Sequence, residues 1–265
     1  GSGGELKPPW DCVPANLIEI VGIDPETDNS SGDIRCISSK SGKALFHIAV
    51  DPRASSLHEV EEQFVSRFGM DSLLSEQSIM ADCITADEYL GENIDKIDVV
   101  DVNTEGHDLQ VLNGAQQLFS KGMVKLAKIE FELAMAWKGQ GFFSDIDSIM
   151  RQKGYELAKI EIGGARPVAF PHGEKEPIWG KAWYVPGIQF WFNALGRMGR
   201  TEIDVHRKKA AAIYAISNMP VRAMELVGLG DEEEPDELMN SIPDKLEYAY
   251  RYQRVEQYTR ALLSP

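Results

Sequence analysis

Basic residues are scarce in this chain: 27 Lys and Arg stand against 42 Asp and Glu over 265 residues, a formal charge of −15. Without a basic stripe there is little to neutralise phosphates and release their counterions, so no nucleic-acid partner is expected. Cysteine is scarcer still. Cys12, Cys36 and Cys83 are too few and too widely spaced for a disulfide framework or a CxxC metal knuckle, so a reducing, cytoplasmic compartment is expected. No stretch approaches the ~18 consecutive apolar residues of a membrane span, and no basic stretch followed by an apolar run opens the chain, so neither a membrane nor a secretory leader is expected. The five histidines form no HxH or HxxxH pair, which leaves no metal site to expect. No GxGxxG lies between a strand and a helix, which counts against nicotinamide redox chemistry.

What is present is the composition of a globular protein, with 43% hydrophobic and 26% charged residues. The apolar run LIEIVGI predicts a buried parallel strand over Leu17–Ile23, stopped by Asp24 and Pro25. Ile34–Ile37 and Ala44–Val50, separated by Ser38-Ser39-Lys40-Ser41-Gly42, predict a hairpin. Residues 51–87 are mixed, with a helical stripe of Val60, Phe64 and Val65. From Lys96 the chain reads as a buried strand, a polar turn and a helix whose stripe is Val111, Leu112, Ala115, Leu118 and Phe119, stopped by Gly122.

In Lys125–Leu133, Ala127, Ile129 and Phe131 alternate with Lys128, Glu130 and Glu132, the period-2 signature of a strand. Asp145–Lys153 reads as a helix, and Tyr155–Ile162 and Ala182–Val185 as closing strands. The alternation predicts an α/β fold: a Rossmann-like, doubly wound, mostly parallel sheet with an antiparallel edge pair. Beyond Phe192 the pattern is helical only, with Pro220–Val227 and a last segment opened by Ser241. The expected organisation is residues 1–192 as one domain and 193–265 as a helical C-terminal extension, the latter offering a contact for a second copy or a partner.

Ligands of open α/β sheets bind beyond the carboxyl ends of the strands. Two features fall there. Gly1, Gly3 and Gly4 fit either an appended tail or a loop that lets backbone approach a nucleotide, and Asp24 fits either a turn before Pro25 or an acceptor for ribose hydroxyls. The second feature is Asp98–Asp108, whose polar groups fit either helix capping or a ligand site at a helix start. Asp101 stands out because an acid inside a buried strand needs a partner or a ligand.

The run IDVVDVNTEGHDLQVLNGA resembles the signature of FkbM-type S-adenosylmethionine-dependent methyltransferases, carried by Glu105, Gly106, Asp108, Leu109, Val111, Leu112, Gly114 and Ala115. GIDPE at 22–26, SSL at 55–57, EFE at 130–132 and Gly154-Tyr155 follow in the family's order, and GSGGELKPPW is similar to its glycine loop with the preceding strand missing. Asp101 and Asn103 stand where the family has lysine and aspartate.

The resemblance implies S-adenosyl-L-methionine as cofactor, held by Gly1, Gly3, Gly4 and Asp24, and methyl transfer to a hydroxyl of a sugar or other natural-product precursor. Glu105 or His107 is then expected as the base or its orienting partner, with Asp101 and Asn103 positioning acceptor or cofactor. Glu130 and Trp137 are expected to reach the small-molecule or glycan acceptor. The alternative is a catalytically degenerate module of the same fold that binds a glycan or nucleotide sugar.

Overall fold

The structure is a computed structural model that describes residues 9–23, 35–167 and 175–228. These fall into two compact units. One lies within Val21–Val185 and holds the sheets; the other joins the short turns Trp10–Cys12 and Ala15–Leu17 to the chain from Pro186 onward.

Among the described residues the first unit is a mixed α/β assembly with two mixed sheets. Strands β1 (Arg35–Ile37) and β2 (Gly42–Ala49) precede helix α1 (Glu62–Phe68), strand β3 (Ser75–Ile84) and helix α2 (Ala86–Leu90). β1 and β2 do not form the expected hairpin: β3 lies between them, parallel to β1 and antiparallel to β2. The physical reason is the apolar face of β3, where Ile79, Ala81 and Cys83 close a small core with Cys36, Phe46, Ala44 and Ile48 from both neighbours. The stripe expected around Phe64 is borne out, since Phe64, Val65 and Phe68 bury one side of α1 in a cluster with Val60, Trp137 and Ile178.

Strand β4 (Val99–Val102) runs into helices α3 (Asp108–Asn113) and α4 (Gln116–Lys121), then β5 (Leu126–Glu132), α5 (Phe143–Gln152), β6 (Tyr155–Pro167) and β7 (Lys175–Pro186). Their order in the second sheet is β4-β5-β7-β6, with β4 parallel and β7 antiparallel to β5. The expected single helix after β4 is interrupted at Gly114, which passes so close to strand β1 that a Cβ there would lie 2.1 Å from the Ser38 carbonyl oxygen. Asp87 at α2 restarts the helix by accepting from the amides of Gln117 at 2.8 Å and Leu118 at 2.9 Å, the free donors of a first turn. The stripe Val111, Leu112, Ala115, Leu118 and Phe119 is buried as expected.

β5 departs from the half-solvated strand its alternation suggests, because all seven residues are buried. Ala127, Ile129 and Phe131 point to the helices, where Ile146 and Met150 of α5 lie; Lys128, Glu130 and Glu132 point to the other face and are buried too. Leu17–Ile23 forms no strand. Ala15–Leu17 is a 3-10 turn, and Leu17, Ile20 and Val21 are exposed, since no ladder partner lies beside them among the described residues.

The second unit carries α6 (Ile188–Arg197), α7 (Arg200–Ile216) and α8 (Pro220–Gly228). The expected boundary at Phe192 falls inside α6. α7 buries Ala210–Tyr214, and Arg207 donates to the Leu226 carbonyl at 3.0 Å to tie α7 to α8. Among the described residues no helix is long and apolar enough to cross a membrane. The segments expected around Asp231–Glu237 and from Ser241, and the glycine cluster and Asp24, lie outside the described residues.

Candidate active site

β4 and β5 run parallel, so the turn that follows β4 meets the last residues of β5 at one end of the sheet. There the chain bends through Glu105 and Gly106, both in the left-handed region at φ 52° and 82°. For a glutamate this backbone is unfavourable, and its persistence needs external support. Ser56 provides it. Its hydroxyl donates to the Glu105 carbonyl at 2.7 Å and accepts from the His58 amide at 3.0 Å, while Gly106 packs against the Trp137 indole.

Four carboxylates converge on this turn. Asn103, with its amide nitrogen turned to the acids, donates to Glu130 and, at 3.3 Å, to Glu105. Asp108 is 2% exposed and accepts from the Thr104 amide at 3.1 Å. Glu132 is 6% exposed. Burial raises the proton affinity of all four. Asp108 is pushed up to about 6 against the pull of its amide donors, and Glu132 to about 9, with the charges of Asp108 and Glu105 adding to burial. Glu130 is raised by burial and by Glu105, Asp108 and Glu132, opposed by Lys181, its cross-strand neighbour on β7. Glu105 is raised by burial and by Asp108.

His107, expected as the base or its orienting partner, is tied on both sides of its ring. It is buried, its Nε2 lies 2.9 Å from the Ser38 hydroxyl and its Nδ1 lies 3.0 Å from Nε2 of His58. In either neutral tautomer one nitrogen donates and the other accepts, so no lone pair is left for a substrate proton. Burial and His58 push it down to about 3. His107 therefore ties the start of α3 to the Ser38 turn after β1 and to the Ser56 loop.

Asp101, read as an acid inside a buried strand, is not buried. β4 is an edge of the described sheet, so the acid is exposed and forms an ion pair with Lys128 at 3.1 Å rather than joining the four acids. Trp137 is 3% exposed and belongs to the apolar cluster behind Gly106, so it backs the turn instead of presenting a face to an acceptor. Glu130 does join the group. Gly1, Gly3, Gly4 and Asp24 lie outside the described residues.

Ser56, His58, Ser38 and Lys181 were not legible as site residues, since each reaches the turn from another element. Glu132 and Asp108 carried a signal, two acids on one strand face and an acid beside Glu105. Among the described residues no three of His, Cys, Asp and Glu are placed to hold a metal ion.

These shifts set a pH dependence of stability. Asp108 and Glu132 bind protons more tightly folded than unfolded, so the stability they add is complete below the ordinary carboxylate range and is lost as pH rises through about 6 and about 9. His107 runs the other way: its contribution is present above its ordinary 6.5 and is lost as pH falls toward about 3. Thermal melts of the unliganded protein are expected to peak on the acid side of neutrality, with Tm falling roughly 5–10 °C from pH 6 to 9. A flat profile over that range would mean that water reaches these carboxylates.

The first unit is thus a mixed α/β structure with polar groups gathered at one end of two parallel strands. More particularly, residues 16–157 match the family model described as the methyltransferase FkbM domain, and the chain belongs to that family. No curated protein and no solved structure matches it significantly.

Proposed function

We propose that this protein is an S-adenosyl-L-methionine-dependent methyltransferase of Rossmann-like architecture that methylates a hydroxyl of a sugar or other natural-product precursor. Family membership implies the cofactor. The donor set fits it: buried carboxylates beyond the ends of β4 and β5 suit a cationic sulfonium, and a small residue at Gly106 leaves the turn low. When bound, the cofactor supplies an electrophilic methyl group. Gly1, Gly3, Gly4 and Asp24 are the residues assigned to hold its ribose side.

The observation that carries the reading is the Glu105-Asn103-Glu130 arrangement, a half-buried and a buried acid bridged by an amide donor beside a left-handed turn. Glu105 accepts the acceptor's hydroxyl proton, since burial brings its proton affinity toward neutrality, where a base works best. Asn103 orients that carboxylate, and the protonated Glu130 accepts or donates beside it without adding charge. Ser56, Ser38, His58 and His107 hold the turn so that the acceptor meets Glu105 in one geometry, which is where most of the rate of an in-line displacement arises. The exchange of the family's aspartate for Asn103 keeps a hydrogen bond in place, which favours a working site over a degenerate one.

The test is calorimetric titration with S-adenosylmethionine and S-adenosylhomocysteine, on this chain and on Asp24→Ala. Micromolar binding that the substitution weakens at least tenfold is expected. Absence of binding for both ligands would overturn the assignment.

A further inference from the structure

Cys36 and Cys83 are far apart in sequence, and strand pairing sets them side by side. They are register partners in the parallel β1–β3 ladder, with Arg35 opposite Asp82 and Ile37 opposite Ile84 on either side. Adjacent strands lie about 4.8 Å apart, inside the ~4.4–6.8 Å that a disulfide spans between α-carbons. Both side chains enter the same small core, beside Phe46 and Ala81, and both are free thiols. Each strand then leads into a group that holds the candidate site. Two residues beyond Cys36, the Ser38 amide donates to the Ile84 carbonyl at 3.0 Å, its hydroxyl lies 2.9 Å from His107 Nε2, and its carbonyl packs on Gly114. Two residues beyond Cys83, the Thr85 hydroxyl accepts from the Glu88 amide at 3.1 Å and opens α2, whose Asp87 caps α4.

We infer that Cys36 and Cys83 form a peroxide-sensitive dithiol, which closes to a disulfide across the β1–β3 ladder and alters the Ser38 anchor of His107. Cys83 is the more exposed of the two, 9% against 5%, and meets a small oxidant first. Its thiolate attacks one oxygen of hydrogen peroxide and the O–O bond breaks; the departing hydroxide takes the thiol's proton and leaves as water, and Cys83 becomes a sulfenic acid. The sulfur of Cys36 then attacks that sulfur. The S–O bond breaks, the S–S bond forms, and the hydroxyl leaves with the Cys36 proton as a second water. Two electrons have passed from the thiols to the peroxide, and a dithiol reductant returns them by exchange. Burial and the neighbouring Cys83 push the Cys36 thiol up to about 12, and burial and Asp82 raise Cys83, so the pair stays reduced until oxidant accumulates.

The test uses the full chain carrying Cys12→Ser, which leaves these two thiols alone. After hydrogen peroxide and blocking of residual thiols, peptide mapping is expected to find Cys36 linked to Cys83 within one chain, with a mass loss of about 2 Da that dithiothreitol reverses. The oxidised protein is expected to melt several degrees above the reduced one, because the cross-link constrains the unfolded chain. Cys36→Ala should accumulate a sulfenic acid at Cys83 that dimedone traps, and Cys83→Ala should trap far more slowly. The ring nitrogens of His107 should shift in nitrogen NMR spectra when the disulfide closes. Sulfinic acid without a linkage, linkage only between chains, or linkage only in urea would overturn the dithiol pair. Equal trapping in the two alanine variants would overturn Cys83 as the first thiol to react. His107 resonances unchanged by complete oxidation would overturn the effect on the Ser38 anchor.

Discussion

Replacing Gly106 by alanine is expected to destabilise the protein by about 3–5 kcal/mol. Two costs add. The backbone stands at φ 82°, which an alanine adopts only with strain of about 1 kcal/mol. The new Cβ would lie 2.3 Å from Trp137 Cδ1 and 2.7 Å from Cγ. Trp137 cannot retreat. Its amide donates to the Gln140 side chain at 2.7 Å, its backbone bridges to Val60, and apolar side chains surround it. Gly154→Ala is the matched control, since φ is 84° there and nothing lies within 4 Å of the added Cβ. Thermal melts should place Gly106→Ala roughly 10 °C below the parent and Gly154→Ala only a few degrees below. Equal melting of the two variants would mean that the indole yields easily and that the turn is not clamped.

Glu105→Gln is expected to lower methyl transfer by about 10²–10⁴-fold, the range for loss of a positioned proton acceptor, while the Kd for S-adenosylmethionine changes only a few-fold. The amide keeps the size of the side chain and a carbonyl for Asn103 to bond, so the loss isolates proton transfer from positioning. Asp101→Ala should change the rate little, because that acid is exposed and paired with Lys128. His107→Ala should lower the rate together with stability, since it breaks the links to Ser38 and His58. The readout is S-adenosylhomocysteine formed in single turnover with an accepted hydroxyl substrate. A Glu105→Gln protein at parental rate, or an Asp101→Ala protein as slow as Glu105→Gln, would overturn the assignment of the base.

How the chain divides its information is clearest from particular elements. The helical stripe from Val111 to Phe119, the stop at Gly122, the helix ending before Gly154, the α7 face and the Pro220–Gly228 helix could all be read from period and punctuation. Local chemistry sets each of them. Strand partnership was another matter. β3 separates β1 from β2 because a third segment supplies the apolar face that a hairpin of the two would lack, and nothing in either strand's own sequence states this. The alternation in β5 likewise gave its faces but not their surroundings, since a polar face is solvated or buried according to what is laid over it.

The sequence by itself determined the family, through the ordered run from Asp98 to Ala115 and the EFE of β5, and it marked Glu105, Asn103 and Glu130 as candidate site residues. Only the tertiary structure decided their surroundings. It occupied both ring nitrogens of His107, set Asp101 on an exposed edge and Trp137 behind the turn, and brought in Ser56, His58 and Lys181 from distant elements. The reason is that residue type and spacing fix what a side chain can do and which way it points along its own element. Burial, proton affinity and hydrogen-bond occupancy depend on groups tens of residues away, and these exist only once the chain has folded.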